Sequence, residues 1–274
     1  MASYDYDLIV IGSGAGGSVA AHIARKAGLS VAIVEADLIG GKCPNIGRVP
    51  MNALLHSAQV YEAAKHGARF GIRSSTVGYN YPSIKAWKDL AVKRTGTHLG
   101  EQMYTKEGIQ VINGRAHFVD SHTITVGIAR FSARNILIAT GSALSIPPIP
   151  GLQGSGYLTS REAINLTRPP KSLAIIGGGV DGCEFAQLFA IFGTKIYIID
   201  TAERLLVNEE PETSELLASQ FTEGYSMSLR LGTNVDKVMK VGTKKQLSLR
   251  KGTKRETLSV DEILVTTENQ AVLD

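Results

Sequence analysis

Two turns of the pattern Gly-x-Gly-x-x-Gly recur in this chain at an offset of 165 residues, and each is followed by an acid 23 residues after its first glycine. The first turn holds Gly12, Gly14 and Gly17 and closes on Glu35; the second holds Gly177, Gly179 and Gly182 and closes on Asp200. Ala21 with Ala186, and Gly28 with Gly193, repeat at the same offset. An apolar run enters each turn (DLIVIG, SLAIIG) and another leads to each acid (SVAIVE, KIYIID). The pattern reads as strand, tight turn, helix and second strand. The first glycine permits the turn, the second lets backbone approach a pyrophosphate, and the third lets helix and strand pack closely. The helix N-terminus offers free N–H groups and partial positive charge to phosphates, and the acid accepts bonds from ribose hydroxyls. One such turn is weak evidence; two in full context predict an α/β chain. The expected architecture is two Rossmann-like dinucleotide-binding domains, each a parallel sheet flanked by helices with a small antiparallel meander.

A length of 274 residues accommodates two ordinary domains. The 43% hydrophobic and 20% charged content is that of a globular protein in water. No apolar run is long enough to span a bilayer, the N-terminus lacks a signal-peptide pattern, and two cysteines make no disulfide scaffold. A cytoplasmic protein with no membrane partner is expected. The net charge of +4 raises the question of nucleic acid, but the one basic cluster, from Lys244 to Arg255, alternates with strand-like residues. That is the pattern of a solvated hairpin face, and no nucleic-acid partner is expected. The six histidines show no metal-ligand spacing, so no metal is expected.

Between the turns, residues 51–65 carry helical periodicity and residues 82–107 read as a second long, polar helix bearing Trp87. Residues 109–139 read as short strands forming an antiparallel meander that ends in a central strand. The proline- and glycine-rich window SALSIPPIPGLQGSG argues against helix or central strand. It divides a first domain, 1–145, from a second, 146–274. Residues 211–223 read as helix and 225–265 as strands with basic turns.

The order of parts (first turn, GGKCPNIGRVPMNALL, ILIATGS, proline linker, second turn) resembles the pyridine nucleotide–disulfide oxidoreductases, the family of dihydrolipoamide dehydrogenase, glutathione reductase and mercuric reductase. The resemblance implies an FAD-dependent oxidoreductase that takes a hydride from NAD(P)H. It places FAD against Gly12, Gly14, Gly17, Glu35 and Gly41, with Ala116 meeting the adenine and Thr140 and Gly141 closing over the cofactor. It places the nicotinamide nucleotide on Gly177, Gly179, Gly182 and Asp200. Cys43 and Glu184 match family positions at the reacting centre. Asp200, a carboxylate where a 2′-phosphate would lie, favours NADH over NADPH. Arg204 reads either as a softening of that preference or as an ordinary surface charge. Asp181, where the family has an apolar residue, reads either as repelling the pyrophosphate or as a harmless helix-start acid.

The chain departs from the family pattern in three places. The second redox cysteine, five positions after Cys43, is Arg48, which blocks the internal disulfide relay. The family lysine beyond it is Asn52. The second FAD-binding segment and the dimerisation domain with its His–Glu pair are not in the sequence, and no glycine follows the strand near EILVTTENQ. Cys183 reads as a packing residue. The expected partners are a small-molecule electron acceptor and either a second copy of the chain or a missing C-terminal partner. A reading of another class stays open: a non-catalytic dinucleotide-binding remnant, or one part of a split or truncated dihydrolipoamide dehydrogenase-like enzyme.

Overall fold

The computed structural model describes residues 4–73 and 76–273. Their contacts group the chain into two compact units, each discontinuous in sequence. The first contains Met1–Pro50, Asp89–Ala143 and Gln270–Asp274; the second contains Met51–Lys88 and Leu144–Asn269. The third change of unit along the chain, between Ala143 and Leu144, lies beside the proline-rich window, while residues 51–88 join the second unit.

In the first unit, four parallel strands form the sheet order Gln110–Asn113, Val31–Glu35, Tyr6–Ile11, Ala129–Ile138. Strand Val31–Glu35 is apolar at four successive positions because both its faces are covered. On one face Val10, Val31 and Ile33 pack against Ala21 and Ala24 of helix Ala15–Lys26. On the other, Ile9, Ile11, Ala32 and Val34 pack with Ile124 and Ala133. The period-two alternation of Ile9, Val10 and Ile11 is what sends them to opposite layers. Strands Ala116–Phe118 and Thr123–Val126 extend the edge antiparallel, as a meander onto Ala129–Ile138. Gln110–Asn113 is not part of that meander: it is the outer parallel strand, paired with Ala32–Glu35.

The long helix expected over 82–107 is broken. It runs from Tyr81 to Arg94, then gives way to a 3-10 turn at Thr97–Leu99 and a one-turn helix at Gln102–Thr105. Gly96 and Gly100 stand at φ +87° and +56° between these pieces, in the left-handed half of backbone space that no right-handed helix can contain.

In the second unit, parallel strands in the order Ser228–Arg230, Lys195–Ile199, Ser172–Ile176, Glu262–Val265 carry helix Val180–Ile191. That helix buries Phe185, Leu188, Phe189 and Ile191 and is apolar around most of its circumference, as an enclosed helix must be. A three-stranded antiparallel meander, Asn234–Val241, Lys244–Lys251 and Lys254–Val260, packs Val238, Leu247, Leu249, Leu258 and Val260 against Ala174, Ile176 and Ile199. The basic cluster lies on this meander, where Lys244 pairs with Asp261, Lys245 with Glu262, Arg250 with Asp236 and Lys251 with Glu203.

Residues 51–88 are fixed to this unit by polar and aromatic contacts. Tyr61, Tyr79 and Tyr81 gather around Phe192. The Tyr225 hydroxyl lies 3.0 Å from Glu62 Oε2, and buried Lys88 donates to Asn165 Oδ1 at 2.8 Å. The proline-rich window does hold one helical turn, Leu152–Ser155, contrary to the sequence expectation. It begins only after the last proline, at Gly151, whose φ of +79° resets the chain direction.

Candidate functional site

The two turns have the same construction position by position. Helix Ala15–Lys26 and helix Val180–Ile191 each span 12 residues and start immediately after the second glycine. Gly12 and Gly177 have φ of +104° and +120°, and their N–H groups donate to Val34 O and Ile199 O. A β-carbon at Gly12 would lie 2.3 Å from Ala139 O, and one at Gly177 would lie 2.6 Å from Thr266 O. A β-carbon at Gly17 or Gly182 would lie 1.9 or 2.0 Å from the carbonyl oxygen of the first glycine. These four positions are glycine because the protein's own backbone fills the space.

The second glycine of each turn is different. Gly14 and Gly179 have extended backbone that any residue can adopt, and a β-carbon there would meet no protein atom within 4 Å. Nothing inside the protein requires glycine at these positions. Open space at the N-terminus of a helix, beside four uncapped N–H groups, is what an approaching pyrophosphate needs. The residues present fit a dinucleotide in both units.

Each acid ties its strand to its turn. Glu35 Oε2 accepts the Ser13 N–H at 2.9 Å and the Ser13 hydroxyl at 2.5 Å, while Oε1 accepts the N–H groups of Ala36 and Asp37 at 2.9 Å. Asp200 Oδ2 accepts the Gly178 N–H at 2.5 Å, and Oδ1 accepts the Ala202 N–H at 2.8 Å. Ser13 is fully buried, and its Oγ also accepts the Gly40 N–H at 2.9 Å, which carries the network into the following loop. Sequence inspection passed over Ser13; a hydroxyl next to the first glycine of a turn that ends on an acid was the available signal.

That loop lies directly on the first turn. Gly41 has φ +71°, and a β-carbon there would lie 2.6 Å from Gly14 Cα. Asn45 Nδ2 donates to Ile39 O and Gly41 O, at 2.9 and 2.8 Å, and so sets the loop's curvature. Cys43 is exposed in the one-turn helix Lys42–Asn45. Arg48 opens helix Arg48–Lys65. Gly47 brings the two pieces close, since its β-carbon position is 3.3 Å from Cys43 Cα. Ala116 begins its edge strand, half-buried. Thr140 and Gly141 follow the central strand, and both are engaged by one residue near the chain end: Thr140 Oγ1 donates to Val272 O at 2.6 Å, and Gly141 O accepts the Val272 N–H at 3.1 Å.

In the second unit a cavity of about 690 Å³ opens at the turn, lined by Gly177, Gly179, Asp181, Asp200, Arg204 and Thr266 among others. That volume suits a small-molecule or cofactor ligand. Four carboxylates, those of Asp181, Asp200, Glu209 and Glu268, line it beside one guanidinium, that of Arg204. Arg204 Nη2 donates to Val207 O at 2.8 Å. Glu184 is half-buried on the helix that the turn opens. Cys183, at the position equivalent to Ser18 of the first copy, is buried, and burial followed by the charges of Asp200 and Glu184 pushes its thiol up to about 12. It is a packing residue. Among the described residues no group of His, Cys, Asp or Glu is placed to hold a metal ion, and no helix is long and apolar enough to cross a membrane.

Comparison with known proteins agrees with this geometry. Residues 6–268 match the pyridine nucleotide-disulphide oxidoreductase family model, and the chain belongs to that family. It is 32% identical over 263 residues to a mercuric reductase of Staphylococcus aureus, a match covering 96% of this chain and 48% of that protein. It is 38% identical over 209 residues to a dihydrolipoyl dehydrogenase of Acholeplasma laidlawii, covering 74% of this chain and 62% of that one. The solved structure of the HOCl-induced flavoprotein disulfide reductase RclA from Escherichia coli superposes with a TM-score of 0.82 at 27% identity, over 97% of this chain and 57% of that one. The chain thus spans about half the length of the relatives it matches. The family is one of FAD-dependent oxidoreductases that use NAD(P)H, and the fold is of the α/β, Rossmann type found in flavoprotein disulfide reductases.

Proposed function

We propose that this chain is the two-nucleotide core of a flavin-dependent oxidoreductase that draws its electrons from NADH and operates without a paired-cysteine relay. The carrying observation is the doubled turn in which, of the three pattern glycines, the second alone, Gly14 and Gly179, faces open space. Together, a bound flavin and nicotinamide supply hydride transfer, chemistry that belongs to the cofactors. The protein's residues bind and orient. Gly12, Gly14, Gly17 and Gly41 shape the first cradle and Glu35 fixes it. Gly177, Gly179 and Gly182 shape the second, and Asp200 offers its carboxylate to a ribose hydroxyl. That carboxylate disfavours a 2′-phosphate, which supports NADH over NADPH.

Arg48 supports the second half of the proposal: a guanidinium five residues from Cys43 cannot form a disulfide with it. Electrons then pass to an external small-molecule acceptor. The test is the visible spectrum of the purified, FAD-incubated protein under anaerobic conditions. A flavin band that bleaches on NADH addition supports the proposal. A flavin band that NADH leaves unchanged removes the hydride-transfer reading.

A second reading has its own support in the length covered, about half of each mercuric reductase. On that reading the chain is a nucleotide-binding part of a larger or split enzyme. Absence of a flavin band after FAD incubation, together with its appearance when the remaining family segments are supplied, distinguishes it.

A further inference from the structure

The two cradles match so closely that their differences carry information, and one difference falls at the phosphate-facing end. The second residue of each helix is Gly16 in the first copy and Asp181 in the second. The first-copy helix has no acid in its opening turn, and a β-carbon at Gly16 would meet no protein atom within 4 Å. Asp181 is the acid in the opening turn of the second-copy helix, is exposed, and lines the 690 Å³ cavity. Neither helix has a side-chain N-cap, so in both the terminal N–H groups face outward.

A helix N-terminus attracts whichever anion is nearest. In the first copy no acid stands in the helix's opening turn, and the Glu35 carboxylate is taken up by Ser13, Ala36 and Asp37. In the second copy a carboxylate of the chain is already there, and the cavity wall around it carries three further carboxylates against one guanidinium. A dianionic pyrophosphate entering that cavity meets a positive pole already partly neutralised, together with like charge.

Resting on the reading of this cavity as a nucleotide site, we infer that Asp181 is an affinity-setting residue that weakens pyrophosphate binding in the second cradle only.

The test uses the whole chain and ligands that differ in phosphate charge. Binding of ADP-ribose and of adenosine is measured by calorimetry for the native protein and for Asp181→Asn, which removes the charge at nearly constant size. ADP-ribose is expected to bind about two- to fivefold more tightly to the variant, the range for one charge at a helix end, with adenosine unchanged. Unchanged or weaker ADP-ribose binding overturns the inference, and so does an equal gain for adenosine, which would mark a packing effect. If the native protein binds neither ligand, the cavity is no nucleotide site and the proposed function falls with the inference. The reciprocal change, Gly16→Asp, is expected to speed loss of FAD from the first cradle by a similar factor.

Discussion

Asp200 and Gly178, which stand at the far end of the second strand and inside the glycine turn, are joined by a hydrogen bond of 2.5 Å from the Gly178 N–H to Oδ2. The other carboxylate oxygen takes the Ala202 N–H, so Asp200 has a structural task besides any contact with ribose. Asp200→Asn keeps one acceptor for two backbone donors. A loss of about 1–3 kcal/mol in unfolding free energy is expected, the cost of an unmet charge-assisted bond, read by urea denaturation. The NADH-to-NADPH affinity ratio is expected to fall in the same variant. An unchanged ratio would remove Asp200 from the ribose site and leave it a purely structural residue.

The glycines of each turn separate by role under alanine substitution. Gly179→Ala and Gly14→Ala put a methyl group into open space on backbone that tolerates it. Stability without ligand is expected to hold or rise by about 0.4–1 kcal/mol, while dinucleotide affinity falls at least tenfold. Gly182→Ala and Gly17→Ala push a β-carbon to 2.0 and 1.9 Å from a carbonyl oxygen. Those variants are expected to lose the fold of their unit, visible as a lowered thermal midpoint before any ligand is added. Equal behaviour of the two pairs would contradict the assignment.

Gly41→Ala tests the loop that rests on the first turn. Its φ of +71° and the 2.6 Å approach to Gly14 Cα both oppose a side chain. Left-handed strain alone costs about 1–3 kcal/mol. The variant is expected to release FAD readily while the second unit keeps its affinity for ADP-ribose. Flavin retention equal to that of the native protein would show that the loop relaxes without consequence.

The two thiols give opposite responses to a thiol reagent. Exposed Cys43 reacts in the native protein and buried Cys183 only on unfolding, so titration with a chromogenic disulfide is expected to show one fast thiol and a second in denaturant. In Arg48→Cys, oxidation is expected to remove the fast thiol by pairing position 48 with Cys43. A fast thiol that survives oxidation would mean the two positions do not meet.

Cys183 also sets an alkaline limit. Burial, with the charges of Asp200 and Glu184, raises its folded value from 9.0 to about 12, so the folded state holds a proton that the unfolded state releases. The contribution is intact below pH 9 and is lost as pH rises towards 12, at about 1.4 kcal/mol per pH unit. Stability measured from pH 8.5 upward is expected to fall less steeply in Cys183→Ala than in the native chain. Parallel curves would show that other groups govern alkaline unfolding.

The doubled strand–turn–helix was legible in the sequence because its constraints are local: glycines that backbone geometry demands, and an acid at fixed distance. What was not legible depended on partners distant in sequence. Gln110–Asn113 is too short to declare its neighbour, and only the sheet shows it parallel to Val31–Glu35 rather than within the meander. The helical pattern over 82–107 concealed two breaks, because Gly96 and Gly100 are neutral in a hydropathy count and decisive in dihedral space. Ser13 and Asn45 were missed for a related reason: each acts through hydrogen bonds to a loop whose path the sequence does not reveal. At the candidate site, the glycines and acids were readable, whereas the open space at Gly14 and Gly179 required coordinates.

The membership of residues 51–88 in the second unit bears on how the polypeptide is made. Tyr61, Tyr79 and Tyr81 leave the ribosome long before Phe192, the ring on which they close. Until then the nascent chain carries an aromatic surface with nothing to cover it, the kind of surface that invites aggregation or a chaperone's grip. The second unit therefore draws on chain from both sides of the first unit's later segment, and a ribosome that pauses at the proline-rich window has delivered nearly all of the first unit and only the opening segment of the second.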